Sequence, residues 1–176
     1  MIPTDEWIFH FIEQHYLAEQ AEVLLQQCLE QRTAAPLQNL VERLVVEGPQ
    51  NLPALQLVHQ LVAQRRAQVE EDALRLWEDL GDLLHRRGLH LPAATPWQAL
   101  LLDAEAFRDR MLTLEGHPEP ALLEESLKAF LNARSVLQDL YEAWRLLQEL
   151  EEDLESWTWG LARLVILARP SSERVL

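Results

Sequence analysis

Residues 120–168 read PALLEESLKAFLNARSVLQDLYEAWRLLQELEEDLESWTWGLARLVILA, with no proline after the first position and a single glycine, Gly160. Phe130, Ala133, Leu137, Leu140, Trp144, Leu147, Leu154, Leu161, Val165 and Ala168 recur at alternating steps of three and four. That period places them on one face of an α-helix. Glu151 and Thr158 occupy two positions of the same seam. Unbroken, such a helix would be on the order of 70 Å long, against about 30 Å for a small domain. The expectation is that it bends, near Glu151-Glu152-Asp153 or at Gly160, or pairs with a partner.

The rest of the chain divides at its proline and glycine clusters. Thr4 to Ala35 is free of both; Thr4 suits an N-cap, with Asp5 and Glu6 in the first turn, where the helix dipole favours acids. Trp7, Ile8, Phe11, Ile12, Tyr16, Val23, Leu24 and Leu29 are its expected apolar stripe. Pro36 opens a short helix over Leu37 to Glu47, with Leu40, Val41, Leu44 and Val45 inward, stopped by Gly48-Pro49. A third helix begins near Pro53 and runs to about Arg87, ahead of Gly88. Its stripe is Leu55, Val58, Val62, Val69, Ala73, Leu76, Leu80 and Leu83, with one gap at Arg65. After a connection over Leu89 to Thr95, Thr95-Pro96 is expected to cap a fourth helix reaching Leu114. The fold expected is all-α: an antiparallel bundle of about five helices in a single domain spanning 1–176.

Composition narrows the function classes. The chain has 176 residues, 15 Lys and Arg against 29 Asp and Glu, and a formal charge of −14. The acid excess is even, with 7 basic and 14 acidic residues through Gly88 and 8 and 15 after it. With no basic stripe, nucleic acid is not an expected partner. No apolar run approaches the roughly 18 residues of a membrane span, and no secretory leader pattern opens the chain, so a cytoplasmic location is expected. The one cysteine, Cys28, reads as a small buried thiol.

Motifs for catalysis are wanting. None of the five serines lies in a Gly-x-Ser-x-Gly turn, and phosphate-loop and dinucleotide signatures are absent. The carboxylate–histidine groupings are Glu6, His10 and Glu13 at i, i+4 and i+7, and Asp82 with His85 at i, i+3. Bundle metal sites draw carboxylates from four helices and use Glu-x-x-His, which does not occur here. These residues are therefore expected to be solvated, and no cofactor is expected. The spacing of Arg110 and His117 resembles the Arg-x(4–6)-His of the HEPN ribonucleases, also all-α, over those two residues alone. Met111 stands where that family has a polar residue, and an ordinary surface arginine and loop histidine are expected.

The six tryptophans carry more. Trp7, Trp77, Trp97 and Trp144 fall on apolar stripes and are expected in the core. Trp157 and Trp159 point about 200° apart on a helix and cannot share a face. With Leu161, Leu164, Val165, Ile166 and Leu167 they make this helix apolar nearly all round, interrupted by Arg163. Three readings compete: a core helix, a partner-binding segment over 156–176, and an interfacial membrane anchor, which the acids from Glu149 to Glu155 oppose. One packing surface covers one indole but hardly both, so the other is expected against a second polypeptide.

The function expected is a non-catalytic interaction protein, an adaptor, a small subunit of a multiprotein assembly or a binding chaperone. Its partner-binding residues would be Trp157, Trp159, Leu161, Leu164 and Ile166, and its partner another protein or a second copy. The alternatives are an α-bundle enzyme with a carboxylate–histidine metal site and an acidic mimic of nucleic acid. Replacing His85 by Ala is expected to leave stability within about 0.5 kcal/mol, the range of surface changes. Elemental analysis and urea unfolding of the variant check this; a stoichiometric metal lost on mutation would favour the enzyme.

Overall fold

The computed structural model describes the backbone of residues 4–115 and 118–167 and the side chains of residues 13–113 and 118–167. Among these residues there are five α-helices and no strand. Helix α1, Thr4–Gln31, ends where Arg32 adopts φ 55°, the left-handed stop more often taken by glycine. Thr33 Oγ1 accepts the Ala35 amide as α2, Ala35–Glu47, begins with Pro36 in its first turn. Gly48 at φ 125° ends α2, and a 3₁₀ turn over Pro49–Asn51 leads into α3, Leu52–Arg86. Asn51 ties this corner by donating to the Leu44 carbonyl at 2.9 Å. Gly88 at φ 74° closes α3.

The expected fourth helix from Pro96 is not one helix. Thr95 Oγ1 caps only a 3₁₀ segment, Trp97–Leu101, and Leu102 is extended. Asp103 then accepts the Ala106 amide at 2.7 Å and starts α4, Ala104–Glu115. Asp103 divides the segment, because its carboxylate takes the Ala106 amide that a continuous helix would have bonded to the Leu102 carbonyl. Helix α5, Pro120–Leu167, is helical throughout, including Glu151-Glu152-Asp153 and Gly160. Ala168 lies outside the described residues.

The helices pack as two compact units, one made of residues 1–66 and 145–176, the other of 67–144, with α3 and α5 contributing to both. In the first unit α1 runs along α3, where Arg65 donates to Gln26 at 3.0 Å, and α2 lies on α5, where Gln38 donates to Asp153 at 3.3 Å. Its core holds Ala21, Leu25 and Cys28 of α1, Leu37, Leu40, Val41 and Leu44 of α2, Leu55, Val58 and Val62 of α3, and Leu147, Leu150, Leu154 and Leu161 of α5. The expected α1 stripe needs correction: Tyr16 and Val23 are exposed, and the buried line runs through Ala21, Leu25 and Cys28. Steps of four and three make that a full helical seam, with the larger apolar residues to one side. The side chains of Trp7, Ile8, Phe11 and Ile12 lie outside the described residues.

The gap in the α3 stripe is also one residue from its expected place. Arg65 is exposed, whereas Arg66 turns inward and forks onto Glu151, the acid in the α5 seam. Arg66 Nε donates to one carboxylate oxygen, and Nη2 donates to the other at 3.4 Å. The side chains are 29% and 21% exposed, so the pair is partly desolvated. Cys28 is fully enclosed, its Sγ donating to the Ala34 carbonyl at 3.6 Å. Burial pushes its thiol above its ordinary value, against weaker opposing hydrogen bonds from the backbone at Leu37 and at Cys28 itself.

The second unit is built around Trp77, Leu84, Phe107, Met111, Phe130 and Leu137. Phe107 of α4 stacks on Phe130 of α5 with centroids 4.5 Å apart. Arg134 of α5 donates to the Leu100 and Leu102 carbonyls at 2.7 and 2.9 Å, holding the 3₁₀ segment against α5. Gly81 leaves room for Leu91, whose Cδ1 would lie 2.9 Å from a Cβ there. Trp77 is buried as expected. Trp97 and Trp144 are half-buried in an aromatic group with Tyr141, and Trp144 donates to Glu70 at 2.7 Å.

Changing Glu151 to Leu removes the carboxylate on which Arg66 forks and is expected to cost about 1–3 kcal/mol. Changing Arg66 to Met as well should recover most of that loss, because an apolar pair no longer carries a desolvated charge. Urea unfolding of the single and double variants measures this. A double variant no more stable than the single one would show that the helices do not need the pair matched.

Candidate functional site

The last three turns of α5 have one buried line and much exposed apolar surface. Leu154 and Leu161 are 1% and 2% exposed, facing their own unit. Trp157 is 45% and Trp159 69% exposed, with Leu164, Ile166 and Leu167 all at least half exposed. The unit thus covers neither indole, where one was expected to be covered. Its contact is centred on Leu161, which lies about 40° from Trp157 and about 160° from Trp159 around the helix. Of the five expected partner-binding residues, Leu161 therefore sits in the core, and Trp157, Trp159, Leu164 and Ile166 are free at the surface.

The exposed residues form two flanks. Trp157 and Leu164 are seven residues apart on one side; Trp159 and Ile166 are seven apart on the other. Trp159 lines a groove of about 580 Å³ together with Glu152, Glu155, Ala162 and Thr158 of α5 and His59 of α3. Thr158 Oγ1 is buried with no hydrogen-bond partner among the described residues. Of the carboxylates before the groove, Glu151 is held by Arg66 and Asp153 by Gln38. Glu152 accepts from Gln148 at 3.5 Å, and Glu155 has no ion-pair or hydrogen-bond partner among the described residues. Gly160 is also open, with nothing within 4 Å of where its Cβ would be.

The remaining candidates do not converge on chemistry. Glu13 is exposed on α1, and Asp82 and His85 are exposed on α3; the side chains of Glu6 and His10 lie outside the described residues. No group of three or more His, Cys, Asp or Glu among the described residues is arranged to hold a metal ion. Arg110 is exposed and donates to the Pro92 carbonyl at 3.4 Å, while His117 is outside the described residues. No helix among the described residues is long and apolar enough to cross a membrane.

The groove itself was missed from sequence, although half of it is legible there. Glu152, Glu155, Trp159, Ala162 and Ile166 follow steps of three and four, a second seam beside the buried one. His59 carries no such signal, since its place beside α5 depends on the pairing of α3 with α5. No protein-family model matches this chain, and no curated protein or solved structure matches it either.

Changing Trp159 to Ala is expected to alter stability by no more than about 0.5 kcal/mol, whereas changing Leu161 to Ala should cost about 2–5 kcal/mol. Thermal and urea unfolding of both variants test the assignment of one residue to the surface and the other to the core. Equal losses would mean that the Trp159 ring is part of the packed unit.

Proposed function

We propose that this chain is a non-catalytic interaction protein, an adaptor or a subunit of a larger assembly, that docks another polypeptide on the C-terminal turns of α5. The observation that carries the reading is the pair of exposed indoles on a helix whose remaining side is packed in the core. Leaving tryptophan, leucine and isoleucine side chains in water forgoes roughly 25 cal/mol for each Å² of apolar surface. Large apolar side chains left exposed on both flanks of one helix are the kind of surface that another molecule covers. Tryptophan in particular supplies large, stiff contact area and is over-represented among the residues that dominate binding energy. The seam spacing on the exposed side suits a helical partner, which would set its own side chains between those of α5.

Replacing Trp157 or Trp159 by Ala should weaken partner binding by at least about 2 kcal/mol for whichever ring anchors the contact, with the fold retained. Sedimentation of wild type and both variants, alone and with a candidate partner, gives the result. A monomeric wild type whose variants lose no partner and unfold more easily would overturn the proposal.

A further inference from the structure

The docking reading can be taken as far as the chemistry of the partner, because the Trp159 flank is not uniformly apolar. Along it run Glu152, Glu155, Trp159, Ala162 and Ile166, acidic at one end and apolar at the other. The α3 wall at His59 makes this flank a groove. From residue 146 to 167 there are five acids and one base, Arg163. Three of those acids have contacts within the unit, Glu151 with Arg66, Asp153 with the Gln38 amide and Glu152 with the exposed Gln148 amide at 3.5 Å, but Glu155 in the groove has no partner among the described residues.

Resting on that reading, we infer that the groove between α3 and α5 takes a basic amphipathic helix from a partner protein. Its apolar residues lie on Trp159, Ala162 and Ile166, and its lysines or arginines lie against Glu152 and Glu155. A seam stepping by three and four receives the knobs of a second helix. The exposed carboxylates of Glu152 and Glu155 at the rim favour cations, and an exposed indole face adds attraction for an ammonium or guanidinium group above it. The formal charge of −14 acts the same way at long range, raising the encounter rate with basic segments and repelling acidic ones. A second copy is the poorer occupant. In parallel it would set Glu152 and Glu155 against their own equivalents, and in antiparallel it would set them against Ile166, between two chains that each carry −14.

The test titrates the full chain into a labelled synthetic helix of about 18 residues, five turns long. One end carries leucines at seam spacing and the other carries lysines; a matched peptide has glutamate for every lysine. Fluorescence anisotropy should show binding of the lysine peptide, weakened by added salt, and none of the glutamate peptide. Trp159→Ala should weaken binding about thirtyfold or more, while Trp157→Ala leaves it within about twofold. Glu152→Gln with Glu155→Gln should weaken it about tenfold, and circular dichroism confirms that each variant stays folded.

Equal binding of the two peptides, or no effect of the glutamine pair, overturns the basic partner; docking survives if Trp159→Ala still weakens binding. No peptide binding, with a wild type that self-associates through Trp159 in sedimentation, names a second copy as the occupant and overturns the inference. Peptide binding that occurs only after Arg169→Ala with Arg174→Ala names the chain's own end as the occupant and overturns it too. If no peptide binds and Trp159→Ala changes no association of any kind, the inference and the Trp159 part of the docking reading fail together.

Discussion

When two apolar seams each contain one charged position, they can pair without stranding a charge only where those positions meet. Arg66 in α3 and Glu151 in α5 meet in this way. Sliding one helix by a turn within that unit would part the guanidinium from the carboxylate and set each against apolar side chains of the facing seam. Apolar side chains alone specify register less sharply, since one aliphatic residue can repack against another at modest cost. The pair therefore adds less to net stability than to the uniqueness of the arrangement. Register in turn sets which α5 residues Val58 and Val62 meet, and it brings His59 beside Trp159 to wall the groove.

The fold was legible wherever a three-four pattern met a clear stop. Gly48 and Gly88 end helices because their positive φ angles are where the chain turns out of the helix, and proline marks the following start. Errors came where two local signals competed. Thr95 and Asp103 are both good caps, and sequence alone does not say that the first governs only a 3₁₀ segment. In α1 the larger residues Tyr16 and Val23 drew the stripe toward themselves, whereas burial follows the line that includes small Ala21 and Cys28. Size is a poor guide on a helix that packs closely. The division of the core into two units leaves no local trace, since its boundary falls inside α3 and α5, between good helix formers.

The candidate site was legible in part for a related reason. Periodicity tells which residues share a face, so two indoles two positions apart had to diverge. It does not tell how wide a strip the rest of the chain covers, and a strip centred on Leu161 proved too narrow to enclose either ring. Thr158, read as a polar intruder in the seam, does lie at the edge of that strip, with a buried hydroxyl. The carboxylates of residues 149–155 look alike in sequence; structure separates those spent on internal contacts from those that remain at the groove.

The enclosure of Cys28 gives the molecule a built-in clock. Its thiol has no solvent-accessible surface, and burial disfavours the thiolate that would attack an alkylating reagent. Each adduct must therefore wait for the α1–α2 corner to open. Because the chain has a single cysteine, one mass increment records one such event, with no second site to confuse the count. The 67–144 unit carries no thiol and is silent to the same reagent. Labelling rates under native conditions would thus read the breathing of one half of the molecule alone, without any engineered probe.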